Sequence, residues 1–122
     1  MNERKIFSWD EIGSYRLDAR KVRTQYVDGE HLQLLRTEIW PGGNYALHSH
    51  PHEQFSIMLS GRLRLTVGDE TREVGPGDLW HAPPEVEHGG EVLGDEPAVF
   101  VDVYGPRSEW LAGWLESFER ED

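Results

Sequence analysis

Hydrophobic and polar residues alternate in short runs, which is the pattern of half-buried β-strands. In Leu63-Arg64-Leu65-Thr66-Val67 the odd positions are apolar and the even positions are polar, the two-residue period of a strand with one face toward a core. Clusters of Gly, Pro, Asn and Asp separate such runs, so the chain is predicted to form an all-β sandwich or barrel. The predicted strands are 31–40, 44–48, 54–59, 62–67, 71–74, 78–82, 88–93 and 98–104, with a further strand over 15–27.

The hydrophobic period changes near the C-terminus. The apolar residues at helical spacing there are Trp110, Leu111, Trp114, Leu115 and Phe118. This spacing predicts a short amphipathic helix over 108–119, with Ser108 as its N-cap. The two tryptophans on one stripe are expected to pack onto the domain or onto a dimer partner rather than to bind a ligand.

Length and composition narrow the classes of protein to consider. A chain of 122 residues with 37% hydrophobic residues suits a single domain over 1–122 with one modest core. The absence of cysteine excludes disulfides and thiolate metal ligands. A net charge of -11 argues against nucleic acid as a partner. No apolar run approaches the roughly 20 residues that cross a bilayer, and the charged start lacks a signal core, so a cytoplasmic location is expected.

Three of the six histidines fall within five residues, at His48, His50 and His52, between turns built by Gly and Pro. His48 and His50 are two residues apart, so on a strand their imidazoles share one face and can bind one cation. Further ligands must come from elsewhere, and Gln54 and His88 are the candidates because each follows a turn. A solvated surface cluster is the alternative interpretation.

Two segments resemble the sequence motifs of the cupin family. The first is Gly42, five residues, His48, one residue, His50, three residues, Gln54, six residues and Gly61; the second is Gly77, five residues, Pro83, four residues and His88. Gln54 stands where glutamate is usual, Glu85 where glycine is usual, and Val92 where asparagine is usual. Together the motifs cover residues 42–92.

The cupin resemblance implies a jelly-roll β-barrel in which one divalent transition metal is held by His48, His50, Gln54 and His88. Four neutral ligands leave the full 2+ charge on the ion, which favours Lewis acidity and an anionic substrate. Such a donor set suits nickel, zinc, iron, manganese or cobalt. Glu53 is the rival to Gln54, although on a regular strand these two side chains face opposite ways.

None of the other three histidines is predicted to bind the metal. His52 lies in the turn between proposed ligands. It is therefore predicted either to hydrogen-bond to a metal ligand or to lie at the surface. His81 precedes Pro83 on a predicted strand and is expected at the surface or in the core, with the pocket edge as the alternative. His31 is expected at the surface.

A second resemblance, carried by residues 48–54 and 101–111, is to the pectin-degradation cupins of the KdgF type, which open the ring of 4,5-unsaturated uronates. It implies that Asp102 is a general base or proton shuttle and that Tyr104 is a pocket wall whose hydroxyl assists. It also implies that Arg107 pairs with the substrate carboxylate. Tyr104 replaces the commoner phenylalanine, and the turn before Arg107 is one residue shorter than usual.

The strand at 98–104 allows two orientations of Asp102. Val99, Val101 and Val103 form one face, and Phe100, Asp102 and Tyr104 form the other. Hydrophobicity alone predicts that the valines face the core and that Asp102 faces solvent. In the alternative, the valines pack against a second layer or a dimer partner, and Asp102 faces the cavity.

The expected function is therefore metal-dependent ring opening of an unsaturated sugar acid. The alternatives are another metal cupin enzyme, a dioxygenase or an isomerase, and a non-catalytic module that binds a small acid or a metal. The expected partners are a small anionic substrate and a second copy of the chain. The copies are expected to pair through sheet edges or through the apolar C-terminal segment.

Overall fold

Two antiparallel β-sheets contain most of the chain. The structure, a computed structural model, describes residues 5–121. Within them lie β1 (Ser14–Leu17), β2 (Val22–Asp28), β3 (Gln33–Ile39), β4 (Asn44–His48), β5 (Glu53–Ser60), β6 (Arg62–Val67), β7 (Glu70–Val74), β8 (Leu79–Ala82), β9 (His88–Leu93), β10 (Ala98–Gly105), the helix α1 (Trp110–Leu115) and β11 (Glu119–Glu121). Two 3-10 turns, Trp9–Glu11 and Asp18–Arg20, complete the elements of this part of the chain.

The sheets face each other, and the core lies between them. The larger has the strand order β11-β1-β2-β3-β10-β5-β8, and the smaller has the order β4-β9-β6-β7. Alternate residues of each strand point inward. The main core cluster draws on both sheets and on the C-terminal segment, with Val22, Ile39, Met58, Leu63, Leu65, Val74, Trp80, Ala98, Phe100, Leu115 and Phe118. This architecture confirms the predicted all-β jelly roll.

The strand predictions from 31–40 onward match the structure within two residues at either end. The single strand predicted over 15–27 is wrong. The 3-10 turn at Asp18–Arg20 interrupts it, and Lys21 adopts a left-handed conformation with φ 55°. This turn reverses the chain, so β1 and β2 pair antiparallel. Alternation of apolar residues cannot reveal such a turn when neither Gly nor Pro marks it.

The C-terminal helix is shorter than the predicted 108–119. It begins at Trp110 and ends at Leu115, and the Trp110 N–H donates to the Ser108 Oγ at 3.2 Å. Phe118 then packs into the core, and β11 pairs with β1. None of the helices in residues 5–121 has the length and hydrophobicity needed to span a bilayer.

Two turns next to the predicted motifs use left-handed backbone. Gly61 has φ 75°, and a Cβ there would lie 2.2 Å from the carbonyl oxygen of Pro97, so only glycine fits. Glu85 has φ 67° at the position where the cupin motif usually carries glycine. The Glu85 N–H donates to the carbonyl oxygen of His50 at 2.8 Å, which fixes the first histidine segment against the second motif.

The central position of β10 decides the orientation of Asp102. This strand pairs with β3 on one side and β5 on the other. Phe100, Asp102 and Tyr104 point inward, and Asp102 is only 2% exposed. The orientation that hydrophobicity alone favoured is therefore wrong, because Val101 and Val103 lie on the outer face of the sheet, beside Ile57 and Phe55 of β5.

Candidate metal centre and adjoining cavity

The sheet register brings three histidines from the two motifs to one point. His48, at the end of β4, lies directly opposite His88, at the start of β9. His50 follows β4 in a loop, and its ring centroid lies 4.9 Å from that of His88 and 5.8 Å from that of His48. One ring nitrogen of each residue lies within 4.8 Å of the others. The three side chains form a group that can hold one metal ion.

Backbone hydrogen bonds orient all three imidazoles the same way. The Nδ1 atoms of His48, His50 and His88 lie 2.8, 3.1 and 2.9 Å from the carbonyl oxygens of Ala46, His52 and Val86 respectively. A carbonyl oxygen only accepts, so each Nδ1 carries a proton, and a neutral His48 or His88 keeps its lone pair on Nε2. The arrangement is typical of metal-binding histidines, in which the second nitrogen is held by an outer partner.

Burial favours the neutral, ligand-ready form of His48 and His88. It lowers the pKa of His88 to about 4, although the hydrogen bond to Val86 opposes this shift. Burial also lowers the pKa of His48. The buried Nε2 of His88 has no hydrogen-bond partner among residues 5–121. A buried polar atom without a partner is costly unless something else occupies its lone pair, and a divalent cation fits this requirement.

Gln54 is the fourth residue at this point. It is fully buried on the inner face of β5, and its Oε1 lies 3.0 Å from the Nε2 of His50. Its amide nitrogen donates to the Ser56 Oγ at 2.9 Å and to the Asp102 Oδ1 at 3.2 Å. These acceptors fix the amide with its oxygen toward the histidines, as a metal ligand requires. Glu53 faces the other way and lies on the outer surface.

Asp102 and Tyr104 form a buried polar pair behind Gln54. The Asp102 Oδ1 accepts a hydrogen bond from the Ser56 Oγ at 2.5 Å, and its Oδ2 accepts one from the Tyr104 hydroxyl at 3.0 Å. Burial raises the pKa of Asp102 to about 7, against the opposing effect of these hydrogen bonds. The structure thus places both predicted residues beside the histidine group, with the Asp102 carboxylate held at both oxygens.

Arg107 lies elsewhere. Its Nε and Nη2 donate to the two carboxylate oxygens of Asp28 at 2.7 and 2.6 Å, and its Nη1 lies 3.0 Å from Glu109. Among the described residues, the cavity lining does not include it. The role predicted for Arg107, pairing with a substrate carboxylate, is not supported by this position, because a bidentate partner already occupies the guanidinium.

The remaining histidines are also outside the group of three. His52 is buried, and its Nε2 contacts the Oγ of Ser108. His81 lies on the outer face of β8, where it pairs with Glu53 at 2.7 Å and stacks on Phe55. His31 is exposed.

A cavity of about 270 Å³ opens beside His48, Asp102 and Tyr104. Sequence reasoning missed several of the residues that line it. Trp110 and Trp114 were expected to pack, and both do so, yet they also form a wall of the cavity. Tyr45 and Arg20 carried no recognisable signal, since neither belongs to a motif. Only the meeting of the two sheets places them here.

Known proteins are similar to this chain in sequence and in fold. The cupin-domain family model matches residues 35–104, more than half of the chain. An uncharacterized protein of Streptomyces coelicolor is 30% identical over 103 residues, covering 78% of this chain and 98% of that protein. Oxalate decarboxylase OxdC of Bacillus subtilis is 32% identical over 123 residues, covering 91% of this chain. The chain spans only 31% of the length of OxdC.

The solved structure of KdgF from Halomonas sp. superposes with a TM-score of 0.71. The match covers 80% of this chain and 91% of that one, at 21% sequence identity. A likeness at this level of identity shows the fold alone.

Proposed function

The chain belongs to the cupin family, and from this premise we propose that it is a metal-dependent enzyme that opens the ring of a small unsaturated uronate. The observation that carries the proposal is the contact between the two parts of the site. Gln54 bridges them, because its oxygen faces the histidines and its nitrogen binds Asp102. The metal ligand set and the proton-transfer group therefore adjoin each other, and one member of each, His48 and Asp102, lines the cavity.

The reaction is an isomerisation that needs a proton to move and a carbon–oxygen bond to break. The hemiacetal hydroxyl loses its proton, the bond between the anomeric carbon and the ring oxygen breaks, and the resulting enolate takes up a proton on carbon to become a ketone, so that no proton is gained or lost overall. Asp102 accepts the first proton, and the Tyr104 hydroxyl holds the carboxylate in position. His48, His50, His88 and Gln54 would hold a divalent cation, which would supply Lewis acidity to the reaction.

The proposal is tested by ultraviolet absorbance. Metal-loaded protein is mixed with unsaturated galacturonate or guluronate, the monosaccharides released by polysaccharide lyases. We expect the absorbance of the conjugated double bond to disappear, because ring opening converts the enol ether to a ketone. Chelator-treated protein is the control and should leave the absorbance unchanged. If neither sugar loses absorbance with the metal-loaded protein, the ring-opening proposal is wrong.

A second candidate is a cupin enzyme that acts on an acid with few hydroxyl groups. The apolar cavity lining favours it, since Leu35, Ile39 and Phe100 offer no hydrogen bonds to a polyhydroxylated ring. The sequence relationship to OxdC makes decarboxylation a reaction to assay, by carbon dioxide release. The dioxygenase alternative is assayed by oxygen uptake. Binding of an acid without any turnover would instead favour the non-catalytic module.

The outer face of the larger sheet supports the expected homodimer. Ile57 lies between Val101 of β10 and Leu79 of β8 in the strand register. Leu79 is 66% exposed, and β8 is the edge strand of this sheet. A second copy related by a two-fold axis places the same apolar row against itself. The C-terminal helix is a weaker candidate for the interface because Leu111 and Leu115 are buried within the chain.

Sedimentation of Ile57→Lys tests the dimer. We expect the wild-type protein to sediment as a dimer and the variant as a monomer, because a lysine at the centre of an apolar interface is desolvated without a partner. Thr71→Lys adds the same charge to an exposed strand of the smaller sheet and should remain dimeric. A wild-type monomer, or a dimer that tolerates Ile57→Lys, contradicts this interface.

A further inference from the structure

The cavity combines an apolar wall with one cationic residue. Its volume of about 270 Å³ equals that of roughly nine liquid waters at about 30 Å³ each, which suits a small molecule. Trp110, Trp114 and Phe118 contribute aromatic surface from the C-terminal segment. Among the described residues that line the cavity, Arg20 is the one lysine or arginine.

Arg20 is free to bind an anion. It is exposed although it lines the cavity, so it lies at the mouth. No carboxylate of residues 5–121 lies within ion-pair distance of it. Other arginines of this acidic chain are already paired, namely Arg16, Arg23, Arg36, Arg62, Arg64 and Arg107. An unpaired guanidinium is the side chain best suited to bidentate binding of a carboxylate.

The backbone holds Arg20 close to the histidine strand. Arg20 ends the 3-10 turn before β2, and the next residue, Lys21, accepts a hydrogen bond from the Trp40 N–H at 3.0 Å. A Cβ at Gly43 would lie 2.9 Å from the Arg20 carbonyl oxygen, so the turn packs directly on the residue before β4. Burial lowers the pKa of His48, and the positive charge of Arg20 lowers it further.

We propose that Arg20 binds the carboxylate of the cavity's ligand at the mouth, in the role that the sequence resemblance implied for Arg107. The ligand class is then a small monocarboxylate whose body lies along the aromatic wall and whose far end reaches His48 and Asp102. This inference rests on the proposed function only for the choice of uronate as the carboxylate.

The kinetic test compares Arg20→Gln with Arg107→Gln in the metal-loaded protein. With unsaturated galacturonate, we expect Arg20→Gln to raise KM about 10- to 100-fold with little change in kcat, since a charge-assisted hydrogen-bonded pair is lost. Arg107→Gln serves as the matched control and should leave KM within about twofold. Arg20→Lys should raise KM by an intermediate amount, because lysine keeps the positive charge but cannot form the two parallel hydrogen bonds of a guanidinium. An unchanged KM in Arg20→Gln refutes the inference.

A binding test separates this inference from the ring-opening proposal. Phenylacetate and phenylacetamide have the same shape and differ in charge, and calorimetry gives their affinities for each metal-loaded variant. We expect wild type and Arg107→Gln to prefer the acid about 10-fold or more, and Arg20→Gln to lose that preference. This result supports Arg20 even if no uronate turns over. If wild type does not bind the acid, or if Arg20→Gln keeps the preference, the inference is wrong whatever the outcome for uronates.

Discussion

Replacing His88 with alanine is expected to lower the affinity for a divalent transition metal by at least about 100-fold and to abolish turnover. Removing a residue that only hydrogen-bonds to a metal-binding histidine already lowers metal affinity by about 10- to 100-fold, so removing a ligand lowers the affinity further. His88 is fully buried and its Nε2 is directed to the point shared with His48 and His50. Elemental analysis of purified protein and titration of the metal-free form with zinc or nickel measure the effect.

His81→Ala is the matched control for this experiment. His81 is also a histidine near the second motif, but it lies on the outer face, paired with Glu53. Its replacement should leave metal content and turnover unchanged. Circular dichroism of both variants shows whether each folds. A folded His88→Ala protein that retains one equivalent of metal at wild-type affinity would overturn the assignment of the metal centre.

Replacing Asp102 with asparagine is expected to lower kcat by about 10²- to 10⁴-fold, the usual contribution of a positioned acid or base. The substitution keeps the size of the side chain and removes its ability to accept a proton. Metal content should stay at the wild-type level, because the histidine ligands and the oxygen of Gln54 are untouched. The measurements are the initial rate on unsaturated galacturonate and the metal content of the same sample.

Glu53→Gln provides the comparison for Asp102→Asn. Glu53 lies on the same sheet, yet its carboxylate is on the outer face, so turnover should be unaffected. Asp102→Asn protein with full metal content and wild-type kcat would show that the buried carboxylate is structural. Loss of metal together with loss of rate would show that Asp102 acts by holding Gln54 in place rather than by moving a proton.

The strands and the pair of His48 and His50 were predictable because both depend on short-range periodicity. Alternation at 62–67 and the turn residues around it specify a strand whatever it packs against. His48 and His50, two apart and flanked by turns, indicated a shared cation, and the cupin motif supplied His88 and Gln54. The alternation of β5 also separated Gln54 from Glu53, and the structure places these residues on opposite faces as that alternation requires.

The helix and the N-terminal strand were predictable only in part. The stripe from Trp110 to Phe118 has helical spacing, but after Leu115 the core takes up Phe118 and the chain pairs with β1. The turn at Asp18–Arg20 contains no Gly or Pro, so the sequence offered no reason to break 15–27. In both places a contact with a distant strand overrides the local pattern.

The sequence by itself determined the class of fold, the approximate strands and the shared face of His48 and His50, because backbone geometry sets these within a few residues. Only the tertiary structure decided which groups surround the cavity. It turned Asp102 inward by placing β10 at the centre of a sheet with an apolar outer face. It engaged Arg107 with Asp28 and left Arg20 at the cavity mouth. Such pairings join residues far apart in the chain, and their register follows from packing, which no local pattern encodes.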